Sequence, residues 1–221
     1  MEIVLPSPRR FNAKYGLFAC IGLMVLVVLN RDRVILDPHH PVWVHYAHFK
    51  WWLLPHAITA ALVLFLGPLQ FSGRIRRQHL PWHRIIGRFY VGAVALSVPL
   101  GIVIEAIKYA HGMAPLRLLV GTSGFGAILA ACTGKGFFLA KRGNIRQHQR
   151  WMIRSYGVAL VFLEVRCVEQ SAWLTKILDV PSSLLQSYSI SDLWMYVAFS
   201  LVGTELALRW RRTVRISHAS R

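Results

Sequence analysis

The chain has 221 residues, of which 55% are hydrophobic and only 16% are charged. The hydrophobic residues occur in long runs, and about 20 such residues are what a helix needs to cross a bilayer, so a soluble domain with a large core is excluded. A net charge of +17 would suggest nucleic-acid binding in a soluble protein. Here the basic residues lie between the hydrophobic runs, where their role in orienting a membrane protein explains them. No nucleic-acid partner is therefore expected.

Six hydrophobic runs of membrane-spanning length follow one another along the chain. We predict spans at approximately residues 15–30, 51–71, 86–106, 118–140, 151–174 and 193–208. The sequence therefore predicts an all-α, polytopic membrane protein with the lipid bilayer as its partner. Residues 1–221 are expected to form a single transmembrane domain, with a four-helix core made by spans two to five.

The distribution of basic residues predicts how these spans are oriented. Nineteen of the 26 Lys and Arg residues lie in the N-terminal tail, in residues 72–88, in residues 135–154 and in the C-terminal tail. Basic residues that flank spans stay on the cytoplasmic side of a membrane. Both termini are therefore predicted to be cytoplasmic.

Two segments at the predicted cytoplasmic ends of spans three and five resemble each other. Residues 83–90 and 148–156 both contain Arg-x-x-x-Arg-x-Tyr, preceded by a histidine. Pro81 favours a helix start at the first segment, and Gly143 followed by Asn144 favours a helix end and a new N-cap before the second. The two histidines, His83 and His148, are therefore predicted to lie at matching depth, as parts of two related hairpins.

The side chains of these segments permit two interpretations. Arg and Tyr at headgroup depth commonly bind lipid phosphate, which would make them anchors at the membrane interface. The predicted anchors are Arg84, Arg88, Tyr90, Arg150, Arg154 and Tyr156. Two histidines at equal depth on separate helices can ligate one haem iron, so His83 and His148 are candidate cofactor-binding residues. The alternative is that each histidine only lies next to the N-cap of its helix, as histidines in a first helical turn often do.

A second polar cluster is predicted in the outward half of the membrane. Ionisable residues are costly to place in a bilayer, so they usually face a partner or a cavity. The cluster consists of His56 on span two, Glu105 on span three, and Arg166 and Glu169 on span five. His56 is the third candidate for cofactor binding. The alternative is an ion pair that only holds helices together.

Several familiar sites are missing from the sequence. The histidines of the outer loop have no spacing that is diagnostic of a metal site, so no metal ligands are predicted. A phosphate-binding glycine loop, a His-Glu-x-x-His motif and a Gly-x-Ser-x-Gly motif are also absent, which argues against an ATPase, a zinc protease of that kind and an esterase. No catalytic residue is predicted, and whether the protein is an enzyme stays open.

Four motifs occur in order along the middle of the chain: His56, Gly67-Pro-Leu-Gln70, His83-Arg-x-x-Gly-Arg-x-Tyr90 and His148-x-x-Trp-Met-x-Arg-Ser-Tyr156. Over about residues 50–170 the chain resembles the bacterial predicted membrane proteins of domain-of-unknown-function family 2306. The resemblance implies a multi-span protein of the bacterial inner membrane without an established activity. The four-span core with histidines is also loosely similar to cytochrome b561-type proteins, which hold haem between histidines on facing helices, although this chain lacks paired mid-helix histidines on four spans.

Three functions follow as hypotheses from these residues. The first is a redox or haem-associated protein, in which His83 and His148 ligate haem b and the cluster around His56 serves a quinol or a proton. The second is a transporter of a small molecule or of protons that uses the intramembrane Arg and Glu residues. The third is an accessory subunit whose spans pack against a larger membrane complex.

Overall fold

A computed structural model describes residues 39–170 continuously, together with residues 19, 21–26, 30, 33, 37, 194, 197–198 and 200–206. For residues 164–170 only the backbone is described. Within these residues every regular element is a helix, as the composition predicts. In chain order the helices are α1 (Val42–His45), α2 (Lys50–Gln70), α3 (Gly73–Gln78), α4 (Leu80–Ala110), α5 (Leu116–Lys141) and α6 (Ile145–Gln170).

The four long helices form an up-and-down bundle. Helix α4 packs against α2 and α5, α5 also packs against α6, and a smaller contact between α6 and α2 closes the ring. The connections are short, which makes sequential helices antiparallel neighbours. Most described basic residues lie at the end of the bundle that holds α3 and the α5–α6 turn; we call it the basic end and the other the opposite end.

Among the described residues, three helices have the length and composition of membrane spans: α2, α4 and α5. They correspond to the predicted spans 51–71, 86–106 and 118–140. Helix α4 is longer than predicted, because Pro81 starts it within the basic segment and the helix continues past the hydrophobic run at both ends. Helix α6 is long enough to cross a membrane but carries Arg154, Glu164 and Arg166, which lower its hydropathy below that of the other three.

The first and sixth predicted spans lie largely outside the described residues. Helical backbone is present at 21–26 and at 200–206, and we call these the N-terminal and C-terminal helical segments. Ile21 and Val25 of the N-terminal segment are buried in the hydrophobic core of the bundle. Ser200 of the C-terminal segment donates a hydrogen bond to the Gly157 carbonyl of α6. Both segments therefore pack against the four-helix bundle.

Local sequence signals set the turn between α5 and α6 as predicted. Gly143 has a φ of +73°, a conformation that L side chains rarely adopt, and it follows the end of α5. Asn144 Oδ1 then accepts a hydrogen bond of 3.2 Å from the Gln147 N–H, which caps α6. The backbone N–H of His148 bonds to the Asn144 carbonyl at 2.9 Å, so His148 lies in the first turn of this helix.

Large hydrophobic side chains cover much of the outside of the bundle. They include Trp51, Phe65, Phe89, Leu96 and Phe138, all of which are exposed. An apolar exterior of this extent is unfavourable in water and is what a lipid-facing surface requires. The exterior therefore agrees with a protein that lies in a bilayer.

Candidate functional site

Two histidines lie at the basic end of the bundle, on α4 and α6. His83 lies in the first turn of α4 and His148 in the first turn of α6. Both histidines therefore lie near the start of their helices at the same end of the bundle, and the matching depth of their rings stays a prediction.

The ring of His148 is held by a backbone carbonyl of the neighbouring helix. Its Nδ1 lies 2.8 Å from the Gly136 carbonyl oxygen on α5. Because a carbonyl only accepts, Nδ1 carries the proton in this contact, and in the neutral ring Nε2 then holds the free electron pair. This is the tautomer found in metal-ligating histidines, whose second ring nitrogen donates to a carbonyl or carboxylate.

His83 is half-buried, and its Nδ1 lies in a buried position without a hydrogen-bond partner among the described residues. Its backbone carbonyl accepts a hydrogen bond of 3.2 Å from the side-chain amide of Gln70 at the end of α2. A Cβ at Gly87 would lie 3.2 Å from that same amide group, so a glycine leaves room for Gln70 beside the helix. A buried polar nitrogen without a partner costs free energy, which favours a bound group at this position.

A chain of three hydroxyl groups crosses the core below this pair. Tyr90 on α4 and Ser155 on α6 are each seven residues beyond their histidine, two helical turns along the same face. The Tyr90 and Ser155 hydroxyls lie 2.9 Å apart, and Ser155 lies 2.7 Å from the Thr133 hydroxyl on α5.

Each hydroxyl group has one hydrogen to donate, and this determines the direction of the hydrogen bonds along the chain of hydroxyls. Thr133 donates to the Leu129 carbonyl at 2.7 Å, so its single hydrogen is used. Ser155 must then donate to Thr133, and Tyr90 to Ser155. Sequence reasoning missed Ser155 and Thr133; the available signal was their position as hydroxyl residues within hydrophobic runs.

The two tyrosines of the repeated segments lie inside the bundle, and their role as interface anchors stays a prediction. Tyr90 is 1% exposed and Tyr156 is 5% exposed. The Tyr156 hydroxyl donates a 3.1 Å hydrogen bond to the Leu64 carbonyl of α2. Both hydroxyls are therefore satisfied inside the bundle, because these positions face neighbouring helices rather than lipid.

The arginines of the same segments differ in environment. Arg84 and Arg88 are exposed on α4, and Arg150 is partly exposed on α6. Arg154 donates from Nε to a carboxylate oxygen of Glu205 at 2.6 Å, and its guanidinium lies 4.7 Å from the centre of the Trp151 ring. Arg154 therefore ties α6 to the C-terminal helical segment.

The predicted outward cluster is partly described. His56 on α2 places Nδ1 3.0 Å from the Ser97 carbonyl of α4, and its ring packs against Gly101. Glu105 lies one turn beyond Gly101 and pairs with Lys108 at 2.8 Å, while its second carboxylate oxygen is buried without a hydrogen-bond partner in the described structure. Arg166 and Glu169 belong to α6, where the structure describes their backbone but not their side chains.

The helical bundle, its apolar exterior and its three span-like helices define the class: this is a helical membrane protein. A model of the predicted membrane protein family DUF2306 matches residues 53–185, more than half of the 221 residues. The chain belongs to this family, as its four motifs predicted. No curated protein and no solved structure matches it, and the predicted similarity to cytochrome b561-type proteins is not shown.

Proposed function

We propose that this protein is a redox-associated protein of the bacterial inner membrane, with six spans and both termini in the cytoplasm. In this proposal His83 and His148 bind haem b at the cytoplasmic end of the bundle. The observation that carries the proposal is the state of the two rings: the Nδ1 of His148 bonds to a carbonyl, and the Nδ1 of His83 is buried without a partner.

The number of available ligands favours haem over a metal ion that is bound by protein side chains alone. A site for a transition-metal ion usually takes three or four protein ligands. No group of three or more His, Cys, Asp or Glu residues that could hold a metal exists within the described part of the chain. Haem iron needs only two axial imidazoles, because the porphyrin fills its other positions, and it would supply one-electron transfer when bound.

The surrounding residues support a fixed ligand pair. The Gly136 carbonyl orients His148, and the Gln70 amide holds the backbone of the turn that carries His83. The contact with the Gly136 carbonyl keeps the His148 ring in one tautomer and one orientation, whereas the Gln70 contact positions only the backbone at His83. In the outward half, His56 and Glu105 lie on facing surfaces of α2 and α4 and would provide the quinol or proton site of the same proposal.

The test is the absorption spectrum of the full-length protein, purified in detergent and supplemented with haem. We expect a Soret band with the spectrum of a six-coordinate iron, and its loss in His83→Ala and in His148→Ala. His79→Ala is the matched control, because His79 is an exposed histidine four residues before His83. Circular dichroism would establish that each variant is folded. The absence of a Soret band after haem supplementation would end the proposal.

A second candidate function, proton-coupled transport, is favoured by one observation. One oxygen of Glu105 is buried and unpartnered within the described structure, and an intramembrane carboxyl group in that state is typical of a proton or substrate path. Glu105→Gln keeps the shape of the side chain but cannot bind or release a proton, so it should abolish proton flux into proteoliposomes. Unchanged flux, or no flux in the wild-type protein, would count against this function.

A further inference from the structure

A groove of about 460 Å³ runs along the outer surface of α5 near the basic end. It is lined by Ala131, Gly134, Lys135, Phe138, Leu139 and Arg142, and we call it the α5 groove. Most of these residues recur at spacings of three or four, so they share one face of the helix. No function was assigned to this face by the sequence.

The floor of the groove is apolar and open. A Cβ at Gly134 would meet no atom within 4 Å, so this glycine is not needed for packing between helices. Phe138, one turn further along, is 61% exposed. Within the described part of the chain, the groove therefore presents an open apolar surface on α5.

Two cations border the groove. Lys135 and Arg142 are exposed, and within the described residues neither forms an ion pair with a carboxylate. The Lys135 ammonium is held 4.2 Å from the centre of the Trp151 ring on α6. By contrast, Arg154, which contacts the same ring, is paired with Glu205. Lys135 and Arg142 therefore keep their charges available beside the groove, as the exposed arginines of α3 and of the start of α4 also do at this end.

We propose that the α5 groove binds one anionic phospholipid. Lys135 and Arg142 hold its phosphate, and one acyl chain packs over Gly134 against Phe138. Cations next to an apolar groove at the end of a span complement a lipid that carries both a negative headgroup and a hydrocarbon chain. The proposal is independent of the haem hypothesis, since the α5 groove contains neither histidine of the pair.

The charge requirement is tested by measuring lipid binding to the full-length protein with native mass spectrometry, using phosphatidylglycerol and phosphatidylcholine as probes. We expect Lys135→Gln and Arg142→Gln each to weaken phosphatidylglycerol binding about fivefold, and the double variant roughly twentyfold. The matched control is the double variant Arg76→Gln, Arg77→Gln, which removes two exposed basic residues from α3 at the same end of the bundle. It should bind within about twofold of the wild-type protein.

The acyl-chain requirement separates a lipid from free phosphate, which the same cations could bind. Gly134→Leu fills the groove and keeps both charges, so it should weaken phosphatidylglycerol binding roughly tenfold and leave binding of inorganic phosphate unchanged. Equal binding of the two lipids, or unchanged binding in the Lys135 and Arg142 double variant, would overturn the proposal. So would a Gly134→Leu protein that binds phosphatidylglycerol as the wild type does, since the site would then recognise phosphate alone.

Discussion

Tyr90 lies at the centre of the bundle, where an unpaired hydroxyl would be costly. Its side chain is 1% exposed, and Ser155, its partner, is completely buried. The chain from Tyr90 through Ser155 and Thr133 to the Leu129 carbonyl satisfies all three hydroxyl donors, and it joins α4, α6 and α5. Because each hydroxyl has one hydrogen, the chain has a single direction, and each member depends on the next.

The first prediction concerns the start of this chain. Tyr90→Phe removes only the terminal donor, so we expect the free energy of unfolding to fall by about 1 kcal/mol, the usual contribution of one hydrogen bond. The measurement is reversible unfolding in mixed micelles. The control is Tyr109→Phe, which alters a tyrosine that is 46% exposed at the far end of α4 and should change nothing. Equal stability of the two variants would mean that the Tyr90 hydroxyl contributes nothing.

Residue-level signals in the sequence predicted the turns well and the core poorly. The positive φ of Gly143 and the cap formed by Asn144 depend on neighbours within four residues, so their residue types were sufficient to predict them. The burial of Tyr90 and Tyr156 depends on which helices face them. A tyrosine near the end of a hydrophobic run fits both an interface and a core, and the local pattern does not distinguish the two.

At the scale of elements, small residues set how closely the helices approach. Gly67 on α2 lies under the ring of Tyr156 on α6, and a Cβ at Gly67 would overlap that ring. Gly126 on α5 lies against Val98 on α4, where a Cβ would come within 2.9 Å of the valine side chain. Close packing of this kind contributes to helix association in lipid, where a hydrophobic driving force between helices is weak.

The second prediction tests the contact between α2 and α6. Gly67→Ala adds a methyl group where the Tyr156 ring lies, so we expect a loss of about 1–3 kcal/mol in the free energy of unfolding. The matched control is Gly92→Ala on α4, where an added Cβ would have no atom within 4 Å. Alanine favours a helix more than glycine does, so the control should be as stable as the wild-type protein or slightly more stable. Similar effects of both substitutions would show that α2 and α6 are not in close contact at Gly67.

The glycines of α5 show what the sequence of a single helix does not predict, namely which neighbour each face contacts. Several glycines are spaced along α5, and Gly124 and Gly126 allow other side chains to approach closely, those of Trp194 and Val98. Gly134 belongs to the same series but faces the α5 groove. Helical spacing assigns residues to a face, but the neighbours of that face come from the packing of the whole bundle.

At the scale of the whole molecule, the separation of charge between the two ends gives the bundle a direction. The described basic residues concentrate at the basic end, whereas α2, α4 and α5 have only Lys50, Lys108 and Arg117 near the opposite end. A charge distribution of this kind is typical of a membrane protein whose basic end is cytoplasmic. The same end contains the His83–His148 pair and the α5 groove, so both proposed sites would open toward the cytoplasmic leaflet.

The third prediction is the orientation itself. Cysteines introduced at Arg77 and Arg146 should react with a membrane-impermeant maleimide only from the cytoplasmic side, and cysteines at His39 and His111 only from the other side. All four positions are exposed, and the wild-type protein with its own cysteines gives the background. A reversed labelling pattern would contradict the orientation. Labelling of Arg77 and Arg146 variants from different sides would contradict the common basic end.

The sequence by itself determined the class, the family and the approximate bounds of the central helices. It did so because a bilayer imposes long hydrophobic runs, basic flanks and capped helix ends, all of which are local patterns. Only the tertiary structure decided which polar groups meet: Nδ1 of His148 with the Gly136 carbonyl, and the three hydroxyls across the core. These contacts join residues on different helices, and the rotation of each helix about its axis, which brings them together, follows from packing against the others.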